Sequence, residues 1–283
     1  MKLDNNWFTE LDSATGCAFS LHIKAKLHEE QTPFQTIAIY DTTEFGKLMT
    51  LDNIIMLTER DNFIYHEMMV HPVLFTHPQP RKVVIIGGGD CGTLHEVLKH
   101  PNLEKVLQVE IDERVTRLSE QYFPTLCESN DDPRIQFDFE DGIKWIANAP
   151  ANSFDIIIVD STDPLGPGEG LFTVDFYRDC KKALASQGLL VQQSESPLLH
   201  LSLLQSMHEF MREAGFATTC TLQFPQCVYP SGWWTATLAG DYDLIQFREN
   251  DADNKSFTTR YYNADIQRAS LVLPNFLLEA LPD

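Results

Sequence analysis

Basic residues are scarce in this chain. Lysine and arginine number 21 against 41 aspartates and glutamates, a formal charge of −20. A nucleic-acid binder needs a net basic face to displace phosphate counterions, so this balance argues against that class. It argues equally against attachment to anionic membranes. An acidic protein concentrates cations near its clefts; the blander alternative is that the acidity serves solubility alone. Long apolar runs are missing too, and none approaches the length of a membrane span. The six cysteines (17, 91, 127, 180, 220 and 227) form no C-x-x-C pair. The opening Met1-Lys2-Leu3-Asp4-Asn5-Asn6 lacks a signal-peptide core, so the expectation is a cytoplasmic protein with free or buried thiols. His66, His71 and His77 have no metal-ligand spacing with a nearby carboxylate, and no bound metal is expected.

What is present is an ordinary globular composition. Of 283 residues, 43% are hydrophobic and 22% charged, enough for a large core. The pattern changes near residue 60. Before it, Phe19 to Leu27, Phe34 to Tyr40, Lys47 to Leu51 and Ile54 to Thr58 alternate or are β-rich, with Asp52-Asn53 as a turn signal. After it, short apolar runs at 82–86, 106–111, 135–139, 154–159 and 189–192 are separated by helical stretches at 112–122, 142–149, 174–185 and 199–214, the last closed by Gly215. Such runs between helices predict a parallel sheet covered on both faces. Asp61 or Asn62 reads as the N-cap of a further helix through Met68 and Val70, with Ile64, Met68 and Leu74 facing a core. Trp233 and Trp234 read as hairpin or interface residues. The expected architecture is an antiparallel β-domain over residues 1–60 and a doubly wound α/β domain over 61–283.

The strongest local signal is Val83-Val84-Ile85-Ile86-Gly87-Gly88-Gly89-Asp90-Cys91-Gly92. Gly87, Gly89 and Gly92 fit G-x-G-x-x-G where a strand ends and a helix begins, a turn that lets backbone approach a ligand. Glu110 follows about 20 residues on, where an acid meets ribose hydroxyls. The motif serves NAD enzymes and enzymes of S-adenosylmethionine alike. Asp90 narrows the choice, because a carboxylate in the loop repels a pyrophosphate and repels the carboxylate of S-adenosylmethionine. A nucleoside with a cationic tail and no carboxylate suits it best; a helix cap near Thr93 is the alternative.

Asp141 and Asp160 also end apolar runs, so Asp90, Glu110, Asp141 and Asp160 are expected along one rim of the sheet. The Pro- and Gly-rich segment Asp160 to Gly170 reads as a loop covering that rim. Gln192-Gln193-Ser194-Glu195-Ser196-Pro197 adds another carboxylate there.

With these residues in place, the chain resembles the polyamine aminopropyltransferases. The likeness covers nearly the whole sequence: Trp7-Phe8-Thr9-Glu10, Gln31-Thr32-Pro33-Phe34-Gln35, Leu57 to Asp61, Tyr65-His66-Glu67-Met68, the glycine loop, Asp160 to Pro167, Tyr229-Pro230-Ser231-Gly232 and Arg260-Tyr261-Tyr262-Asn263. Such enzymes move an aminopropyl group from decarboxylated S-adenosylmethionine, a co-substrate rather than a resident cofactor, to a diamine such as putrescine. The resemblance implies a small β-domain before a Rossmann-like domain of the methyltransferase kind, assembled as a homodimer or homotetramer. It implies donor contacts at Gln35, His66, Asp90, Glu110 and Asp141, with Gly87, Gly89, Gly92 and Gly142 shaping the backbone. Glu110 would take the ribose, Asp141 and its neighbouring backbone the adenine, and Asp90 the aminopropyl ammonium. Asp160 would stand at the reacting centre with Tyr65. Tyr65, Asp163, Gln193, Glu195 and Tyr229 would hold the diamine, with Trp7 at its far end. The chain departs from the family in two places. Cys91 replaces a glycine of G-G-G-D-G-G, at a free position of the motif, so the turn is expected to survive. The segment Phe224 to Gly232 carries extra residues relative to I-P-T-Y-P-S-G.

Other acceptors (cadaverine, agmatine, a longer polyamine) remain within the same reading. A diamine N-methyltransferase would bring a donor carboxylate against Asp90. A non-catalytic polyamine- or nucleoside-binding relative would not need Asp160, and an NAD dehydrogenase lacks a hydride-handling constellation.

Overall fold

The computed structural model describes residues 3–164 and 166–281; Leu165, within the segment expected to cover the site, lies outside them. The N-terminal part is a five-stranded antiparallel meander of β1 (Trp7–Asp12), β2 (Cys17–Gln31), β3 (Thr36–Thr42), β4 (Lys47–Leu51) and β5 (Ile54–Thr58), in that order. The Asp52-Asn53 signal forms its last hairpin. Leu51 pairs with Ile54, and both turn residues take positive φ, 50° and 66°, as a two-residue turn matching strand twist requires.

Helix α1 (Asn62–Thr76) leads into β6 (Lys82–Gly87), α2 (Gly92–Leu98), β7 (Lys105–Val109), α3 (Glu113–Tyr122), β8 (Ile135–Asp138), α4 (Gly142–Asn148) and β9 (Phe154–Asp160). Then come α5 (Val174–Ala183), β10 (Leu184–Gln193), α6 (Leu201–Glu213), β11 (Thr218–Pro225), β12 (Trp233–Gly240), α7 (Glu249–Asp253), α8 (Ala264–Ser270) and α9 (Asn275–Ala280). The second sheet runs β11-β12-β10-β9-β6-β7-β8. Five of its strands are parallel, as expected, but β12 runs antiparallel to both β10 and β11. The five runs read as a parallel sheet are parallel, and the two further strands make the whole sheet mixed.

The apolar runs are buried on both faces, which is why they are continuous rather than alternating. Val83, Ile85, Ile156 and Ile158 pack on one side with α1 and α2. Val84, Ile86, Ile157 and Val159 pack on the other with α4, α5 and α6. Each such side chain contributes roughly 1.5–3 kcal/mol by leaving water. The N-terminal sheet also uses both faces. Ile37, Ile39 and Met49 meet Val115 and Leu118 of α3, whereas Phe8, Tyr40 and Leu48 meet Val228 beyond β11. It therefore forms a wall over the carboxyl edge of the larger sheet. Among the described residues no helix is long and apolar enough to cross a membrane.

Asp61 occupies the N-cap position of α1, as expected, but does not cap it with its side chain. Its side chain makes no cap bond; it accepts from the Thr58 hydroxyl and, at 3.2 Å, from the Val228 amide, so it stitches the two sheets together. The cap role of Gly215 holds: at φ 105° it follows α6, and the Gly215 and Phe216 amides close on Arg212 and Met211 carbonyls at 3.0 and 3.1 Å. A Cβ there would meet nothing. Gly215→Ala is therefore expected to cost about 1–2 kcal/mol of purely conformational origin. The urea midpoint should fall with no change in slope; an unmoved midpoint would refute this account.

Candidate active site

Parallel pairing sets the ends of β6 and β9 side by side, with Gly87 opposite Asp160. Gly87 adopts φ 84°, and a Cβ on it would overlap the Asp160 carbonyl. The chain then turns sharply: the Gly88 amide donates to the Asp160 carbonyl at 2.7 Å, and the Cys91 amide to the Gly88 carbonyl at 2.9 Å. Cys91, where the family has glycine, keeps the turn by taking φ 68° itself, and its thiol is buried. Gly92 serves a purpose not foreseen. A Cβ there would enter the His66 ring, so this glycine makes room for His66 rather than touching the main cavity.

One turn of α1 supplies the partners of the two neighbouring carboxylates. The Tyr65 hydroxyl donates to Asp160 Oδ1 at 2.7 Å. His66 Nε2 lies 3.2 Å from Asp90 Oδ2, and Asp90 Oδ1 accepts from the Gly92 amide at 2.7 Å. Burial opposes ionisation of both His66 and Asp90, but their mutual attraction outweighs it. His66 is held above the usual imidazole range and Asp90 below the usual carboxylate range, so this is an ion pair. Asp160 is pushed up, first by burial and then by the Asp90 charge. Its Oδ2 is buried without a partner among the described residues. Burial and Asp160 raise the Tyr65 phenol, which keeps its proton to donate. Two carboxylates thus sit close together with proton affinities driven apart, the arrangement that divides charge stabilisation from proton transfer.

A cavity of about 960 Å³ opens in front of this pair. Its lining includes Gln35, Gly87, Gly89, Glu110, Asp141 and Gly142, with Asp90 and Asp160. Burial, before any other cause, raises Glu110 to about 7, and its Oε1 accepts from the Asp112 amide at 2.9 Å. Asp141 caps α4, accepting from the Ile143 amide at 3.0 Å. Gln35 reaches the cavity from the N-terminal sheet and donates to Asp112 Oδ2 at 3.1 Å.

A second cavity of about 350 Å³ adjoins the first, and Met56, Tyr65, Ser161, Thr162 and Tyr229 line both. Beyond that waist lie Asp163, Gln193 and Glu10. Burial, then the charge of Glu195, pushes Asp163 up to about 9; burial raises Glu10 to about 7. Glu195 takes φ 64° at the end of β10, and Gln193 Nε2 donates to its Oε1 at 3.4 Å. Its Oε2 lies 3.2 Å from His200 Nδ1, whose Nε2 is 3.7 Å from Asp12. The Tyr229 hydroxyl donates to the Met56 carbonyl at 2.5 Å, so this ring is a fixed wall of the waist.

Trp7 is not brought to either cavity. It stands edge-on to His22, 5.1 Å between ring centres. Side chains alternate along a strand, and in β1 it is Phe8 and Glu10 that point inward. Glu10, Asp12 and His200 were missed in the sequence. A carboxylate at an inward position of an alternating strand is the signal that would have found Glu10. Among the described residues no cluster of three or more His, Cys, Asp or Glu is placed to hold a metal.

Residues 62–249 match the family described as the spermine/spermidine synthase domain, and residues 6–59 match the spermidine synthase tetramerisation domain. A polyamine aminopropyltransferase of Nitrosococcus oceani is 63% identical over 278 residues, 98% of each chain. That of Methylococcus capsulatus is 62% identical over 276 residues, covering 98% of this chain and 97% of its own. A spermidine synthase solved with the transition-state analogue AdoDATO has a TM-score of 0.95 at 34% identity, over 99% of this chain and 96% of that one. The spermidine synthase of Thermotoga maritima has a TM-score of 0.92 at 34% identity, over 97% and 94%.

The buried His66–Asp90 pair yields a stability prediction. His66 is raised above 6.5, so its contribution is complete below that pH and is lost as pH rises through its folded value. Asp90 is lowered below 3.8, so its contribution is present above that pH and is lost on acidification. His66→Gln should therefore cost most between pH 4 and 6.5, about 3–5 kcal/mol as expected for a buried charge left alone. Urea unfolding across pH measures this; a penalty that does not vary with pH would contradict the ion pair.

Proposed function

The chain belongs to the spermine/spermidine synthase family, and from that premise we propose that it transfers the aminopropyl group of decarboxylated S-adenosylmethionine to putrescine, giving spermidine and methylthioadenosine. The observation that carries this reading is the Asp90–Asp160 pair, with separated proton affinities, in the larger cavity beside the Tyr65 wall that both cavities share. The larger cavity takes the nucleoside: Glu110 receives the ribose hydroxyls, Asp141 and adjoining backbone the adenine, and Gln35 closes the side. Asp90 holds the ammonium of the aminopropyl arm, a role that would place the carboxylate of ordinary S-adenosylmethionine against a like charge. The smaller cavity takes the diamine, its remote ammonium among Asp163, Glu195 and Glu10.

The donor is a sulfonium, an activated leaving group from the outset, so binding and alignment are the main tasks. The attacking nitrogen must be neutral. An amine of pKa about 10.4 costs roughly 4–5 kcal/mol to deprotonate at pH 7. The amine enters with its reacting end neutral at Tyr65 and Asp160. Its lone pair forms the new C–N bond as the C–S pair returns to sulfur, leaving a neutral thioether. The nitrogen becomes acidic in that step and passes its proton to Asp160, whose raised affinity suits it to receive one. The match to a tetramerisation domain supports a homotetramer, and free cysteines support a reducing, cytoplasmic setting.

Purified protein incubated with decarboxylated S-adenosylmethionine and a panel of amines should yield methylthioadenosine and spermidine, identified by mass, with putrescine preferred. A methylated amine formed from S-adenosylmethionine would overturn the assignment. Asp160→Asn should lower kcat by about 10²–10⁴-fold, and an unchanged kcat would remove Asp160 from the reaction. Amine binding should also release protons, because the remote ammonium favours ionised Asp163. Calorimetry of putrescine binding at pH 8 in buffers of different ionisation enthalpy should count about one proton fewer for Asp163→Asn than for wild type. Equal counts would mean that Asp163 does not face the amine.

A further inference from the structure

Helix α1 must present Tyr65 and His66 at one rotation, yet its own sequence secures it poorly. It lacks a side-chain N-cap, and Pro72 removes a helical donor from its middle. The chain beyond the sheet supplies the missing ties. Glu67, 1% exposed, accepts three backbone amides: Arg260 on Oε1 at 2.8 Å, and Tyr261 and Tyr262 on Oε2 at 2.8 and 2.7 Å. Gln267 donates to the Pro72 carbonyl at 3.3 Å and the Thr76 hydroxyl at 3.2 Å. Arg248 closes the last turn through the Leu74 and His77 carbonyls at 2.8 and 2.9 Å. Tyr262 stacks on Phe75, 5.7 Å apart with planes at 8°. Residues 260–267 lie past the region matched to the synthase domain, which ends at 249.

We propose that Glu67 is a positioning residue: by fastening the Arg260–Tyr262 backbone to α1, it sets the rotation at which Tyr65 reaches Asp160. Successive helical residues are 100° apart, so Glu67 leaves the helix about 200° round from Tyr65 and is tied to a different part of the molecule. A side chain reaching about 6 Å from the helix axis moves by about 1 Å when the helix turns by about 10°. Displacements of about 1 Å at a reacting centre cost on the order of 10²-fold in rate. An uncharged amide at position 67 keeps one acceptor oxygen, so its own N–H group would face the backbone donors on one of the two sides, Arg260 or the Tyr261–Tyr262 pair. The inference rests on the reading of Asp160 as the proton acceptor.

The test compares wild type, Glu67→Gln, Tyr65→Phe and the double variant. Losing the Tyr65 hydrogen bond raises Asp160 further, so the acid limb of kcat/KM for putrescine should move to higher pH in Tyr65→Phe. Glu67→Gln should show the same direction of shift, with kcat down about 10–100-fold and the donor KM within threefold. The double variant should match Tyr65→Phe, since both changes break one contact. Carbon-13 NMR titration of the Asp160 carboxyl carries the same comparison without turnover. An unshifted profile in Glu67→Gln, or additive shifts in the double variant, would overturn the proposal. Should Glu67→Gln fail to fold, Gln267→Leu loosens the same helix, and an unshifted Asp160 titration there would overturn it equally. A wild type that makes no aminopropylated product would instead overturn the assigned reaction, and the NMR comparison would still decide the role of Glu67.

Discussion

Everything at this site depends on holding two half-buried carboxylates close together without letting them share one fate. Strand pairing brings Asp90 and Asp160 together, because the turn that carries Asp90 begins at Gly87, directly opposite Asp160. Left alone, like charges in a low-dielectric pocket would leave one acid protonated with no control over which. Adjacent residues of α1 break the tie. His66 brings a charge to Asp90, and Tyr65 brings a neutral donor to Asp160. The stronger partner fixes Asp90 as the anion, and the Asp90 charge in turn raises Asp160. Gly87 and Gly92 answer to the same constraint, one making room for the Asp160 backbone and the other for the His66 ring.

The two cavities extend this division. Two acids that line the larger one are satisfied by the fold: Asp141 caps a helix, and Glu110 accepts from the Asp112 amide. Their geometry is set before any ligand arrives. Acids of the smaller cavity face each other, with Asp163 at about 9 and Glu10 at about 7 because burial and mutual repulsion favour protons there. A positive charge placed there would relieve that repulsion. The first cavity is built for shape and the second for charge, which matches a rigid nucleoside on one side and a flexible, strongly charged chain on the other.

The central strands were legible because burial on both faces leaves an uninterrupted apolar run, and the strand-end acids followed from them. The direction of the last strands was not legible: Thr235 to Leu238 in β12 is as buried as the parallel strands, and nothing in such a run distinguishes a parallel from an antiparallel neighbour. Helix α1 was recognised, but nearly every side of it is buried, so its pattern could not reveal which side chains face a cavity and which face the core. Trp7 and Glu10 were exchanged for a related reason. A strand of six residues alternates cleanly, yet an aromatic residue attracts attention as a lid and a carboxylate is discounted as solvated. The helices after residue 249 are short and carry little periodicity, and their importance lies in backbone amides and carbonyls, which no side-chain pattern encodes.

The charge of −20 is not one property but two. Many of the carboxylates lie on the surface in ordinary pairs, such as Glu113 and Glu120 with Arg117 or Glu59 with Lys47, where an ion pair contributes a fraction of a kcal/mol and the excess charge keeps the protein soluble. Apart from Asp141, which pairs with Lys144 at 3.0 Å, the site acids differ in their neighbours. Among the described residues, none of Glu10, Asp90, Asp160 or Glu195 has a lysine or arginine within ion-pair distance; their partners are His66, Tyr65, Gln193, His200 and backbone amides. A fold that merely needed these carboxylates for stability would gain by pairing them with permanent cations. Leaving them with neutral donors or titratable imidazoles keeps the cavity short of positive charge, and cationic substrates of the kind this family uses would supply it.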